Sequence, residues 1–281
     1  MAIGVYSNPK LSFAAASAPP PPSRDVDAAA FMVAIGIADD ATVYYSGTSY
    51  ERTGEQLFDA IDDFIVGLKT ASIWDDVIAL YPFLGGTATR HQYNAKNPLD
   101  TNAAFRLSFA GGITHDELGI TGNGTNGYFN THLKPSTSLT SDSASMGAYI
   151  RTNTSATTQD FGIFVNSASD FLLIPKWSTG AVFADLYNSS TNRITSAITR
   201  SDRLILMSRT SSIDSRIFRD GIQVGSTNTN ASSGHGSLGS NSVYGLARND
   251  NGTANLFSSR NVSFFFLASL AEFDCANIAC S

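Results

Sequence analysis

Retaining glycoside hydrolysis needs two carboxyl groups about 5–5.5 Å apart across the bond to be cut. On a β-strand such a pair comes from Glu-x-Asp-x-(x)-Glu spacing, because alternate residues share a face. This chain has four Glu (Glu51, Glu55, Glu117 and Glu272), and none is paired inside a strand-like run. Asp214 and Asp220 are six apart but flank Arg216 and Arg219, a pattern that suits ion pairing. His91, His115, His132 and His235 are scattered, with no helical i,i+4 pair and no neighbouring Cys, so no zinc site is indicated. There is no Gly-x-Ser-x-Gly with a supporting triad order. The Gly-rich run Gly234-His235-Gly236-Ser237-Leu238-Gly239-Ser240 lacks the Lys and the strand–helix context of a phosphate loop. These residues predict a protein that is not an enzyme.

Binding chemistry is better supplied. An exposed aromatic ring beside an amide or carboxylate is a platform for a sugar. Trp177, following Pro175-Lys176, and the pair Tyr187-Asn188 are the candidates, with a core position for Trp177 as the competing reading. Cys275 and Cys280 lie too close together to staple a fold. They read as small apolar residues of a terminal helix, or as a local disulfide or metal site.

The elements that must position these residues follow from composition. The 281 residues include 36 Ser, 25 Thr, 19 Asn and 23 Gly, and only 15% are charged. Polar surface made of short neutral side chains, with 20 Asp against 4 Glu, is the mark of many short strands joined by turns. A net charge of −6 without any Lys/Arg run argues against a nucleic-acid partner. No apolar stretch is long enough for a membrane-spanning helix, so no membrane insertion is expected. The first residues lack the ordered parts of a secretory signal.

Three regions are predicted. Residues 1–24 read as an extended arm, with Ile3, Val5, Tyr6, Leu11 and Phe13 ahead of the Pro19-Pro20-Pro21-Pro22 spacer. Residues 25–82 read as a small helical segment. Asp25 or Asp27 caps a helix that stops at Gly36, and Leu57, Ile61, Ile65 and Leu68 form the apolar face of a second. Ser72 is expected to cap a further helical turn through Trp74, Val77, Ile78 and Tyr81, ended by Pro82. Residues 83–281 read as an antiparallel sandwich closed by a short helix after Ser269. Its strands are expected at 105–109, 146–151, 161–165, 171–174, 181–187, 203–207, 243–247 and 262–267, with a hairpin at Asp220-Gly221. Phe264-Phe265-Phe266 breaks alternation, so that strand is expected to be covered on both faces.

An ordered series of short motifs adds a resemblance. It runs from Ala79-Leu80-Tyr81-Pro82-Phe83-Leu84-Gly85-Gly86-Thr87 through Asn94-Ala95-Lys96-Asn97-Pro98 and Gly122-Asn123-Gly124-Thr125-Asn126-Gly127-Tyr128. It continues with Leu133-Lys134-Pro135-Ser136, Arg219-Asp220-Gly221, Ala247-Arg248-Asn249 and Leu256-Phe257-Ser258-Ser259-Arg260. Over residues 27–279 the chain resembles structural proteins of tailed bacteriophages that carry a laminin-G/concanavalin-A-like jelly-roll domain. The resemblance implies a mainly β, antiparallel jelly-roll sandwich located in the virion, as a fibre, an appendage or a capsid-associated protein. The implied partners are other virion proteins and sister subunits of a homo-oligomer, with host surface glycans as ligands of an adhesin. Relatives of this fold hold Ca2+ at the sandwich rim, using carboxylates and carbonyls. Asp250 in Asn249-Asp250-Asn251-Gly252 and Asp116 in His115-Asp116-Glu117 could supply the carboxylates, or serve as plain turn residues. No other cofactor is implied.

Overall fold

The structure is a computed structural model that describes residues 23–45, 49–165 and 169–269. The arm residues Ile3, Val5, Tyr6, Leu11 and Phe13, the expected terminal helix, and Cys275 and Cys280 lie outside the described residues.

The helical segment forms as the sequence predicts. Helix α1 (Val26–Ala34) is capped by Asp25, whose carboxylate accepts from the Asp27 N–H. It ends at Gly36, φ +66°, where the Gly36 and Ile37 amides bond back to the Val33 and Met32 carbonyls. A small ribbon, β1 (Val43–Tyr44) with β2 (Arg52–Thr53), leads into helix α2 (Gly54–Thr70). Thr53 and Gln56 form a reciprocal capping box at its start. Leu57, Ile61, Ile65 and Leu68 are buried with Phe31 and Met32 of α1.

At Ser72 the structure departs from the expected helical turn. Ser72 is the residue past the end of α2, with φ +58°, and the Ser72 and Ile73 amides bond to the Lys69 and Leu68 carbonyls. After a 3-10 turn at Trp74–Asp76 the chain runs as strand β3 (Val77–Pro82), paired antiparallel with β19 (Asn261–Ala268). A strand with core on both sides places apolar residues at any spacing, so helical periodicity arose there without a helix. The boundary after residue 82 moves accordingly, because β3 is part of the sandwich.

The remaining strands are β4 (Ser108–Ala110), β5 (Ile113–Asp116), β6 (Gly119–Gly122), β7 (Tyr128–Asn130) and β8 (Ala144–Ile150). They continue with β9 (Phe161–Phe164), β10 (Asp170–Ile174), β11 (Ala181–Asn188), β12 (Ile194–Ala197) and β13 (Arg203–Ser211). The last are β14 (Asp214–Arg219), β15 (Ile222–Asn228), β16 (Tyr244–Gly245), β17 (Arg248–Asp250) and β18 (Thr253–Asn255). A nine-stranded sheet runs β12-β11-β10-β9-β16-β7-β4, with β17 beside β9 and β18 on β17. An eight-stranded sheet runs β15-β14-β13-β8-β19-β6-β5, with β3 beside β19. Pairing is antiparallel apart from β9 with β17. The two sheets form the jelly-roll sandwich, and its core lies between them.

Phe264, Phe265 and Phe266 are covered on both sides, as expected. Phe265 stacks on Phe161 and Tyr81 between the sheets, while Phe264 and Phe266 face the helical segment, Phe264 meeting Phe64 edge-on at 5.4 Å. The Asp220-Gly221 hairpin is present, with φ of +49° and +80°.

Other expectations are trimmed. The strand expected at 105–109 begins at Ser108, because Phe105 is left-handed (φ +60°) after the 3-10 turn Asn102–Ala104. The 243–247 strand shrinks to Tyr244–Gly245, with Leu246 left-handed at φ +61°. Two four-residue helices, α3 (Ala88–His91) and α4 (Pro135–Ser138), fall within the sandwich region.

Candidate functional site

Register decides which side chains leave the core of the nine-stranded sheet. Phe161, Ile163, Phe171, Leu173, Val182 and Ala184 fill the core. Their alternates Gly162, Phe164, Asp170, Leu172, Ile174, Phe183 and Asp185 therefore share the opposite, outer face. Cross-strand pairing places Asp170 opposite Phe164, Leu172 opposite Asp185, Ile174 opposite Phe183, and Tyr244 opposite both Gly162 and Asn130.

Two guanidinium groups lie flat on this face. Arg248 stacks over the Phe164 ring, 4.2 Å from its centroid, and donates to Asp250 at 2.6 Å and Gln159 at 3.0 Å. Arg193 stacks over Phe183 at 5.1 Å and holds Asp185 through two bonds of 3.1 and 2.6 Å. Trp177 lies against Phe183 at 6.3 Å, and Tyr128 meets Tyr244 at 5.0 Å and Phe257 at 6.3 Å as a second, separate aromatic group. Beneath this layer Leu172, Asp170 and Asp185 are fully buried. Burial pushes the Asp170 carboxyl up to about 6, against the pull of the Val165 amide. Burial also raises Asp185, to about 7, with Arg193 holding it back. One oxygen of Asp170 and the Nε of Arg248 are buried without a hydrogen-bond partner among the described residues.

The structure sorts the sequence candidates. Trp177 sits half-buried at the edge of the outer face, fixed by its own N–H to the Ala181 carbonyl at 2.7 Å. Tyr187 and Asn188 do not form the exposed platform expected of them. Tyr187 is buried against Phe171, and Asn188 accepts from the buried Arg209 at 2.5 Å. A left-handed Tyr187 (φ +57°) and a register shift at the Asp170/Phe171 step turn that strand end inward. Asp250 and Asp116 belong to different sheets and do not converge. Asp250 is occupied by Arg248, and Asp116 caps the Leu118 amide at 2.8 Å. Among the described residues no group of three His, Cys, Asp or Glu could hold a metal ion.

The nearest approach to a catalytic pair is Ser108 Oγ, 2.8 Å from His132 Nε2. Burial lowers the His132 pKa, but among the described residues no carboxylate bonds its ring. Asp214 and Asp220 pair with Arg216 and Arg219, as their spacing suggested.

No family model matches the chain, and no curated protein matches it. Several solved structures are similar at low identity. Domain 4 of AbnA, a GH43 extracellular arabinanase from Geobacillus stearothermophilus in complex with arabinotriose, is 14% identical with a TM-score of 0.45, over 72% of this chain and 96% of that one. The botulinum neurotoxin serotype D binding domain is 8% identical with a TM-score of 0.49, over 74% of this chain and 51% of its own. The CBM40 of the Ruminococcus gnavus IT-sialidase, bound to alpha2,3 sialyllactose, is 13% identical with a TM-score of 0.37, over 49% and 80%. This chain thus spans about half the neurotoxin chain. The arabinanase and CBM40 structures each hold a glycan.

Phe164, Phe183, Arg193, Arg248, Asp170 and Asp185 were not singled out in the sequence. A signal was present: Asp185 interrupts the apolar run Ala181–Tyr187, and an acid inside a strand needs a partner on its own face. The partner, Arg193, comes from the turn before the next strand, and only the β11–β12 register brings the two together.

Proposed function

We propose that the chain is a non-enzymatic component of a bacteriophage particle, attached through its N-terminal arm, whose outer sheet face contacts neutral glycans of the host surface. The observation that carries the glycan reading is the pair of aromatic groups on one sheet face, Trp177 with Phe183 and Tyr244 with Tyr128, together with Phe164, and with Arg193 and Arg248 placed over the Phe183 and Phe164 rings. Flat rings beside hydroxyl-binding groups suit the C–H faces of sugar rings. Arg193 and Arg248 are paired with Asp185 and Asp250, so neither guanidinium is free for a sialic, uronic or sulfated sugar. Neutral sugars fit this balance. Asp170 and Asp185 lie below the face, out of reach of a substrate bond, and Asp250 is held by Arg248. The placement in a virion, as fibre, appendage or capsid-associated protein, rests on the ordered motifs between Ala79 and Arg260. Weak sites on many copies of a particle add to strong attachment.

A glycan array probed with the oligomerised chain tests the binding face. Neutral oligosaccharides are expected to bind, with at least about tenfold loss in Trp177→Ala and Phe183→Ala while thermal unfolding stays intact. Absence of binding at particle-like valency leaves the structural role alone. Deleting residues 1–22 tests attachment: the sandwich is expected to fold but not to enter particles. Equal incorporation would refute the arm.

A further inference from the structure

The loop between β3 and α3 lies in the sandwich and packs against the helical segment. On the helical side, Gly85 donates its N–H to the Tyr45 hydroxyl at 2.5 Å, and Arg90 donates to the Ile35 carbonyl at 3.1 Å and stacks on Tyr44. On the sandwich side the Phe83 N–H donates to the Ser263 carbonyl at 3.2 Å and the Phe83 ring packs in the core, and beyond it His91, fully buried on α3, places its Nδ1 3.1 Å from Nδ1 of His115 on β5, an edge strand of the eight-stranded sheet.

Hydrogen bonding assigns the protons. His91 Nε2 accepts from the Gly86 N–H at 3.1 Å, so the single proton of a neutral His91 is on Nδ1. That N–H donates to His115, whose Nδ1 must be bare and whose own proton is on Nε2. The arrangement excludes a metal between the two rings, because His91 has no lone pair left at Nδ1. It also has one state only. A proton added to His115 Nδ1 sets two N–H groups face to face at 3.1 Å, with no acceptor between them.

We propose that the His91–His115 contact is an acid-released latch between α3, with the loop before it that packs on the helical segment, and edge strand β5. Arg90 from α3, Tyr45 from the loop after β1, and Asp116 and Glu117 from the end of β5 are the other titratable or charged groups around it. Arg90 opposes charge on His91. Asp116 favours charge on His115 and so favours the open state once a proton has arrived. Burial drives His91 down to about 3 and also lowers His115, but both nitrogens of His91 are already engaged, so the half-buried His115 beside Asp116 is the ring that takes the proton. Both rings are neutral in the closed state. The latch is therefore closed at neutral pH and opens as pH falls below the ordinary histidine range. On opening, Arg90 and Tyr45 keep the loop joined to the helical segment, and β5 loses its hold on the loop.

The test uses the full chain. His115→Asn puts a non-titrating carbonyl oxygen near the place of Nδ1. In the wild-type protein, amide exchange at Gly86, corrected for the intrinsic pH effect, is expected to rise about tenfold between pH 7 and pH 5. In the variant it is expected to stay flat. Equal pH dependence in both proteins, or a flat wild type, overturns the latch. Imidazole nitrogen spectra of the wild type at pH 7.5 give a reading that needs no variant. A proton on His91 Nδ1 and a bare His115 Nδ1 are expected, and a proton on His91 Nε2 overturns the proposal.

Discussion

Two buried arginine–aspartate clusters lie at opposite states of completion. At the start of β9 and β19, Asp160 accepts from Arg260 Nε at 2.8 Å and from Ser258 at 2.5 Å. The other nitrogens of Arg260 go to Ser201 at 2.9 Å, to Thr152 and Thr154, and to the Lys176 carbonyl at 2.9 Å. Every nitrogen is used, and five segments of chain are tied to one guanidinium. On the outer face Arg193 and Asp185 are paired, yet among the described residues an oxygen of Asp170 and the Nε of Arg248 have no partner, and two carboxyls are pushed up by burial. A saturated cluster is architecture, since its value lies in the pieces it joins. A cluster with unused hydrogen-bonding capacity carries a cost, and a fold retains such a cost where the surface above it is used.

The largest effect is expected at the saturated cluster. Arg260→Ala leaves Asp160 buried without its cation and frees Lys176, the residue beside Trp177. Loss of a buried partner costs about 3–5 kcal/mol, read as a lower urea midpoint at unchanged slope. A loss below about 1 kcal/mol would erase the distinction between the two clusters.

The opposite sign is expected at Asp170. Its carboxyl is near 3.8 in the unfolded chain and raised to about 6 in the fold. The folded state then binds more protons between those values, so stability falls as pH rises from about 4 to 6, and the cost is fully present at pH 7. Asp170→Asn removes the charge and keeps an acceptor for the Val165 amide. It is expected to stabilise the protein by up to about 3 kcal/mol at pH 7 and to lose that advantage by pH 4. A variant less stable than wild type at pH 7 would show that Asp170 is satisfied after all.

How far the sequence reached follows the same division. The alternation in Phe161–Val165 and Ala181–Tyr187, the cap at Asp25, and the Asp-Gly hairpin are local, and they appear where local chemistry puts them. Ser72 shows the limit. A serine ahead of an apolar run reads as a helix start, while here it ends α2 in a left-handed conformation, because pairing of Val77–Pro82 with β19 outweighs helical periodicity. The candidate site was legible at one residue, Trp177. The rest of the face needs strands β9, β10, β11 and β17 in register, and Asp170 and Arg248 are about eighty residues apart in the chain. Tyr187 failed as a candidate for a related reason: the irregularity that turns it inward leaves no trace in residue types.

A smaller effect is expected from releasing a cation. Asp250→Asn removes the partner of Arg248 while leaving Gln159 and the Phe164 ring to hold the guanidinium. Stability is expected to move by less than about 1 kcal/mol, as for partly exposed ion pairs. Affinity for a carboxylated or sulfated oligosaccharide is expected to rise several-fold relative to its neutral counterpart. Unchanged selectivity would detach sugar preference from the charge balance of the face.

The smallest expected effect is that of calcium, the other means by which an underused carboxylate could be satisfied. A bound ion stabilises the folded state by about 2.7 kcal/mol at a concentration one hundred times its dissociation constant, so even a millimolar site shows in a melt at high calcium. Ca2+ takes six to eight oxygens, with several carboxylates or carbonyls converging. Here Asp250 and Asp185 are held by arginines, Asp170 is fully buried, and Asp116 belongs to the other sheet. The two guanidinium groups already provide the positive charge an ion would bring. Melting temperatures in EDTA and in 10 mM Ca2+ are therefore expected to coincide. A rise that disappears in Asp250→Asn would place an ion on the face, and the spare oxygen of Asp170 would then count as the vacant half of a metal site.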